Sequence, residues 1–429
     1  MFIGYFTERP YQDPKSGYFG ATGKSIMDLN VSNEIYDAEL GASLYNRYLD
    51  EKIYAEEMGF DGLMLNEHHS TPFCMGGAMN VEASILARIT DRAKIVLLGN
   101  ILPLWDDPLW LVEQLSMIDM ISHGRLVSGW VRGTGRESVA HNIEPHYNWE
   151  RFKEAHELIV KAWTTPGPFR WEGKHFHYRH VNPWVKPYQK PHPPIWLPGV
   201  VSRDSLIWAA EQRIPYIMLA TEMEPTKQAF QIYHDTAAEL GYESGPQNIG
   251  YLWKVHVDET EELAEQTGRK YVQGPSNPFL AGNEGTTNQA LLHLPGLTSR
   301  RRVLPTTSVA TAARGGSAGP GGVLSRPYEQ QVEDYTIISG TPDTVIPKIR
   351  HVLETIRPGS IFFWDGDGAM THDDAMRSLR LMGQEVLPAV REMAKELDLP
   401  GPFEVDPATG QPYVAETNSA QPAEVTADD

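Results

Sequence analysis

Two periods of apolar and polar positions alternate along the chain. Short runs of consecutive apolar residues occupy 2–6, 62–65, 95–98, 126–130, 195–197, 216–219, 249–257 and 361–364, with the length and composition of buried strands. Between them, large apolar side chains recur every three or four positions, the spacing that gathers them on one helix face. Tyr45, Tyr48, Leu49, Ile53 and Met58 mark the first such segment, closed by Gly59. The same spacing predicts helices over 78–90, 108–121, 149–163, 225–240, 259–272, 341–356 and 372–397, with one more opening near Ser202. Pro108 suits a first helical turn, whereas Pro388 predicts a bend in the last helix.

Eight strands, each followed by helix, predict a parallel sheet. A (β/α)8 TIM barrel with insertions accommodates this rhythm, and so does an open doubly wound sheet. Three segments interrupt it. Residues 173–194 are rich in Pro, His and aromatics and read as a hairpin excursion. Residues 274–327 have almost no periodicity and hold a Gly-rich stretch at 315–322, the mark of a functional lid or a disordered insertion. Residues 398–429 are Pro-, Ala- and acid-rich, which predicts a disordered tail after one domain spanning 1–397.

Composition narrows the function. With 41% hydrophobic and 22% charged residues, the 429-residue chain is ordinary for a globular protein. Its net charge of −19 argues against a nucleic-acid partner, since phosphate backbones call for excess Lys and Arg. No run approaches the ~18 apolar residues of a membrane helix, and the N-terminus lacks the pattern of a signal peptide. A single cysteine, Cys74, permits no internal disulfide, so a cytoplasmic enzyme is expected.

Some apparent motifs fail on inspection. Gly17 to Ser25 ends like a phosphate-binding loop, but the glycine required five positions before Gly23 is Tyr18. Ser317 sits in a nucleophile-elbow pattern without the strand and helix that would expose it. His68 and His69 are adjacent, so on an extended chain they point to opposite faces, and no metal is expected.

Barrel enzymes carry their working groups at the C-terminal ends of the strands. Here those ends bring Phe6, Glu67-His68-His69, Gly99-Asn100, Arg132, residues 199–202, Leu219-Ala220, Trp253 and Trp364. One imidazole pair, one carboxamide, one guanidinium and several aromatics suit a flat, conjugated, anionic ligand.

At these positions the chain resembles the bacterial-luciferase-like flavin-dependent monooxygenases. The likeness rests on Ala55-Glu56-Glu57-Met58-Gly59-Phe60-Asp61-Gly62 followed by Asn66-Glu67-His68-His69, and on Ser122-His123-Gly124-Arg125-Leu126 with Gly129-Trp130-Val131-Arg132-Gly133. Pro194-Ile195-Trp196 leading to Ser202, and Arg377 to Leu381 with Glu385-Val386-Leu387-Pro388, extend it to about residue 397, interrupted at 274–327.

The resemblance implies a cofactor, reduced FMN, delivered by a separate NAD(P)H:flavin reductase; no Gly-x-Gly-x-x-Gly fingerprint follows a strand. It implies reaction with O2 through a C4a-peroxyflavin to oxygenate a small organic substrate by hydroxylation, Baeyer–Villiger insertion or oxidative cleavage. Arg132, with Val201, Ser202, Arg203 and Ser205 at the opening of the fifth helix, would hold the FMN phosphate. His68 would be the catalytic histidine, relaying a proton near neutral pH. Asn100 would bond the polar edge of the flavin, beside a non-prolyl cis peptide. Val131 replaces the cysteine that lies next to the flavin in luciferases, which puts light emission in doubt. Phe6, Trp105, Trp253 and Trp364 are candidates for an apolar substrate pocket, 274–327 for its lid, and a homodimer is expected. An F420-dependent hydride-transfer enzyme and a non-catalytic flavin-binding subunit are the alternatives on the same scaffold.

Overall fold

The computed structural model describes residues 1–13, 29, 31–133, 135–200, 202–219, 222–272, 328–365 and 370–413. The order is β1 (Phe2–Phe6), α1 (Ala38–Glu57), β2 (Gly62–Leu65), α2 (Met79–Ile89), β3 (Lys94–Leu97), β4 (Asn100–Ile101), α3 (Pro108–Ile121) and β5 (Leu126–Val131). It continues with α4 (Gly135–Ala140), α5 (Asn148–Thr164), β6 (Phe169–Glu172), β7 (His177–Val181), β8 (Ile195–Gly199), α6 (Arg203–Glu211), β9 (Tyr216–Leu219), α7 (Met223–Glu239), β10 (Ile249–Val257) and α8 (Glu261–Thr267). A helix at Tyr328–Glu333, β11 (Ile337–Gly340), a helix at Pro342–Ile356, β12 (Ser360–Trp364) and helices at His372–Leu381 and Leu387–Glu396 complete it.

The parallel strands run β10-β12-β1-β2-β3-β5-β8-β9, and pairing of β9 with β10 closes the ring. This is the closed eight-stranded barrel with surrounding helices, not the open sheet. Alternation along each strand separates two cores. Phe6, Val96, Trp196, Leu252 and Phe362 fill the barrel, while Tyr5, Leu97, Trp130, Trp253 and Phe363 pack outward against helices. Gly4 makes room inside: a Cβ there would lie 2.4 Å from the Phe362 ring.

Several boundaries differ from expectation for physical reasons. α1 starts at Ala38, ahead of Tyr45, because the Asp37 side chain caps it by accepting from Leu40 N–H at 2.9 Å. The hairpin is β6–β7, earlier than 173–194, and its strands are half-exposed, so they lack a buried apolar run. β10 is long enough to pair twice: Ile249–Lys254 lies in the barrel ring, and Lys254–Val257 takes β11 as a further partner, a short strand that the pattern did not reveal. The bend expected near Pro388 is a π turn over Met382–Val386, where Gly383 lies against the Met58 backbone.

The expected disordered tail from 398 is corrected for its first part. Leu399 is buried, Val405 bridges Pro412, Glu404 pairs with the N-terminal ammonium, and Phe403 packs on Phe2 with ring centroids 5.3 Å apart. One aromatic with two local hydrogen-bonded turns sufficed where composition suggested nothing. Residues 414–429 and the proposed lid at 274–327 lie outside the described residues. Among the described residues, no helix is long and apolar enough to cross a membrane.

Candidate functional site

The C-terminal ends of β5 and β8 meet at one corner of the barrel mouth. Ser128 lies opposite Ile195 and Gly129 opposite Trp196, a register that brings Arg132 level with Gly199. Gly199 is required there, because a Cβ would stand 2.3 Å from the Tyr216 hydroxyl. That hydroxyl donates to Val200 O at 2.6 Å and fixes the turn into α6. Ser202 is the N-cap of α6 but makes no side-chain cap bond; its Oγ lies 3.1 Å from Ser205 Oγ. The first amides of the helix are thus left without a side-chain acceptor, beside two converging hydroxyls.

Arg132 faces this turn. Its guanidinium lies over the Trp149 ring of α5 at 5.0 Å. No carboxylate among the described residues pairs with it; burial lowers its pKa, with Tyr216 and Asp204 near enough to oppose the shift. Arginine stays protonated, so this half-buried guanidinium carries its charge without a carboxylate in ion-pair contact among the described residues. Arg203 is exposed at the same turn, and Val201 lies outside the described residues.

A second corner forms where the chain leaves β2. Glu67 is buried and its Oε1 accepts from Ile101 N–H at 2.9 Å; burial pushes its pKa up to about 7. His68 follows, with 23% of its side chain exposed and its Nδ1 2.9 Å from Glu137 Oε1. The other oxygen of Glu137 accepts from His69 N–H at 3.1 Å. Asn66 donates to Glu8 at 2.8 Å and accepts from Arg9 at 3.0 Å, and burial raises the Glu8 pKa despite His68 and Asn66.

Between the corners, the Leu98–Gly99 peptide is cis, as the resemblance implies. Asn100 is fully buried and donates to Asn80 Oδ1 at 3.0 Å, and Asn80 donates to Gln114 at 2.9 Å. The Asn100 Oδ1 is buried without a hydrogen-bond partner among the described residues. A family model of luciferase-like monooxygenases matches residues 37–357. The chain belongs to that family.

It is 27% identical to the alkanal monooxygenase alpha chain of Photobacterium leiognathi over 53% of this chain and 64% of the relative. It is also 27% identical to the oxygenase component of flavin-dependent trigonelline monooxygenase from Acinetobacter baylyi, over 40% of this chain and 46% of that one. The chain therefore spans less than two thirds of these curated relatives. A monooxygenase from Streptomyces bottropensis shares the fold with a TM-score of 0.67 and 21% identity, covering 91% of this chain and all of that one (100%). An F420-dependent secondary alcohol dehydrogenase shares it at 0.62 and 14%, covering 91% and 99%.

Within this luciferase-like barrel, the four aromatics divide. Phe6 and Trp364 face inward at the mouth, edge to face at 5.4 Å, and the Trp364 Nε1 has no hydrogen-bond partner among the described residues. Trp253 is corrected: it points outward, stacked on Tyr251 at 4.9 Å, and the inward residue is Lys254, over the Trp364 ring at 5.0 Å. Trp105 is corrected as well, since it packs against the outer core and its carbonyl accepts from Arg151. A strand end alone does not say which face a residue takes; the register does.

The luciferase-like site also holds residues that the sequence reading missed. Glu137 sits on a helix of six residues, too short to show a period. Trp149 and Tyr216 were taken only as parts of elements, yet they shape the Arg132 corner. His256 is fully buried between Asp365, 2.8 Å from Nδ1, and Asp258, 3.6 Å from Nε2. Burial would lower its pKa, but the two carboxylates push it up to about 9. Asp365 directly follows the strand end at Trp364, a signal that was present. Among the described residues, no group of three His, Cys, Asp or Glu could hold a metal ion.

Proposed function

We propose that this chain is the oxygenase of a two-component flavin monooxygenase. It takes reduced FMN from a separate NAD(P)H:flavin reductase and, with O2, oxygenates a small organic substrate in the cytoplasm. One observation carries the reading: Arg132 has no carboxylate partner among the described residues and faces the uncapped first turn of α6 with its two hydroxyls. A phosphate matches that donor set in charge and geometry. The buried, unpartnered Asn100 Oδ1 fits a ligand that brings an N–H donor to the same mouth.

When bound, reduced flavin supplies the two electrons that activate O2. Arg132, Ser202, Ser205 and the leading amides of α6, with Arg203 in the same turn and Val201 next to them in sequence, bind the phosphate. His68 takes up and releases a proton at the reacting groups. Phe6 and Trp364 wall the mouth with apolar surface and exclude water. Hydroxylation, Baeyer–Villiger insertion and oxidative cleavage share these requirements and differ in the shape of the substrate pocket. The name of the trigonelline enzyme, an oxygenase component, supports the separate reductase.

A homodimer is supported by an exposed apolar stripe on adjacent helices: Val81, Ile85 and Ile89 of α2 beside Trp110, Met117 and Met120 of α3. Light scattering should give twice the chain mass for the wild type and the chain mass for Met117→Lys.

Anaerobic titration with reduced FMN and with reduced F420 tests the cofactor. The proposal expects saturable FMN binding and substrate oxygenation by the purified chain once O2 is admitted. Tight F420 binding with oxygen-independent hydride transfer would instead make it a dehydrogenase. Flavin binding without turnover over a panel of substrates would support a non-catalytic subunit.

A further inference from the structure

We propose that Glu137 is the positioning residue for His68, its carboxylate holding the imidazole by Nδ1 and the following backbone by His69 N–H, so that Nε2 is the atom at which His68 exchanges a proton. The inference rests on the functional reading of His68 given above. Its own basis is the two contacts of one buried carboxylate, 2.9 Å to the ring and 3.1 Å to the amide. A single contact would leave the ring free to swing about the chain. Two contacts, one on the side chain and one on the next peptide, fix the ring relative to the strand end from which it projects.

The chemistry of the pair sets the tautomer. An ionised carboxylate only accepts hydrogen bonds, so the nitrogen facing Glu137 must carry a proton in both charge states of the ring. In the neutral ring the lone pair then belongs to Nε2. Phe73 limits rotation from another side, with ring centroids 5.1 Å apart.

The fold explains how the carboxylate reaches this place. After Arg132 the chain turns at Gly133, where φ is +76°, and a Cβ there would lie 2.6 Å from Ile101 Cγ2 and 3.5 Å from Glu137 Cβ. α4 opens directly beyond this turn and drops Glu137 against the end of β2. One loop therefore delivers both the cation of the anion-binding corner and the anion that holds the imidazole.

Other charged groups also face His68. Glu67 precedes it, Glu8 approaches from the segment after β1 with Arg9 beside it, and His69 packs against His141 of the α4 region at 4.2 Å. Any change of His68 titration must be judged against these neighbours, which Glu137→Gln leaves in place.

The titration that tests the clamp needs neither flavin nor substrate. Exchange of each imidazole C2 proton for deuterium, followed against pH by mass spectrometry on the full chain, gives a titration midpoint for every histidine. Fragmentation of the peptide separates His68 from His69. In Glu137→Gln, which keeps the size and loses the charge, the His68 midpoint should fall by about one pH unit relative to wild type. FMN affinity, measured in parallel, should change less than about 3-fold, because the phosphate donors are untouched. An unchanged His68 midpoint in a folded Glu137→Gln protein would overturn the proposal. If that variant does not fold, the wild type still decides: His68 should titrate above His69, whose pKa burial lowers, and the reverse order would refute the clamp. A wild type that binds no FMN but shows these midpoints would sink the functional reading and leave the clamp standing.

Discussion

The two ends of the barrel treat charge in opposite ways. At the N-terminal end, cations are fully used: Arg391 donates to both oxygens of Asp61 and to Gly59 O, and Arg125 to Ala87, Thr90 and Ala93 carbonyls. Asp61 in turn accepts from Ile3 N–H, and Phe403 seals the opening against Phe2 and Trp196. At the C-terminal end, Arg132 has an aromatic face for company, and Asn100 Oδ1, Trp364 Nε1 and Asp365 Oδ2 are buried without hydrogen-bond partners among the described residues. Unpaired buried polar atoms cost free energy. Unpaired atoms gathered at one end of a fold that satisfies the other fit the ligand site proposed at the mouth.

The contrast can be broken most sharply with two arginines. Arg132→Ala should weaken FMN binding on the order of 100-fold, as expected when a charge-assisted bond to a phosphate is lost. Its melting temperature should hardly move. Arg391→Ala should do the reverse, costing about 1 kcal/mol of stability at its partly exposed pair and leaving FMN affinity unchanged. Flavin fluorescence and thermal melts read both. Equal affinity losses in the two variants would erase the distinction between the ends.

Phe403→Ala sharpens the comparison from the closed end. Removing this aromatic should destabilise the chain by about 2 kcal/mol in denaturant melts, with no effect on FMN affinity.

His256 supplies a pH test at the open end. Its pKa is raised from 6.5 to about 9 in the folded chain, so its stabilising charge is fully present below pH 6.5 and is lost as pH rises through 9. Wild-type stability should fall across that window, and His256→Gln should show a flatter profile. Glu67 gives the smallest expected effect. Its carboxyl is raised from 4.5 to about 7, so the folded chain holds the proton more tightly and loses that advantage as pH climbs from 4.5 through 7. Glu67→Gln should therefore be more favourable to stability at pH 8 than at pH 5.

Much of this architecture was legible in the order of residues. The eight apolar runs carry the barrel because each strand of a parallel barrel is buried on both faces, which leaves a mark in composition. The places of Arg132 and Ser202 were readable because a strand end and a helix start are announced by local patterns. The direction of Trp253 was not: the run 249–257 is apolar throughout, so alternation is silent and only the pairing of Leu252 with Phe362 shows which face is inside. Glu137 was hidden for a different reason. Its partner lies 69 residues away, and no local period marks a six-residue helix. The ordered stretch after Leu399 was misread because a few contacts to the N-terminus outweigh a composition that favours disorder.

The central claim is that the Arg132 corner is an anion seat for a flavin phosphate. A crystal structure with FMN bound tests it directly. The account predicts phosphate oxygens within hydrogen-bond distance of the Arg132 guanidinium and of the leading amides and hydroxyls of α6. FMN density with its phosphate elsewhere, while that corner holds solvent, would contradict it.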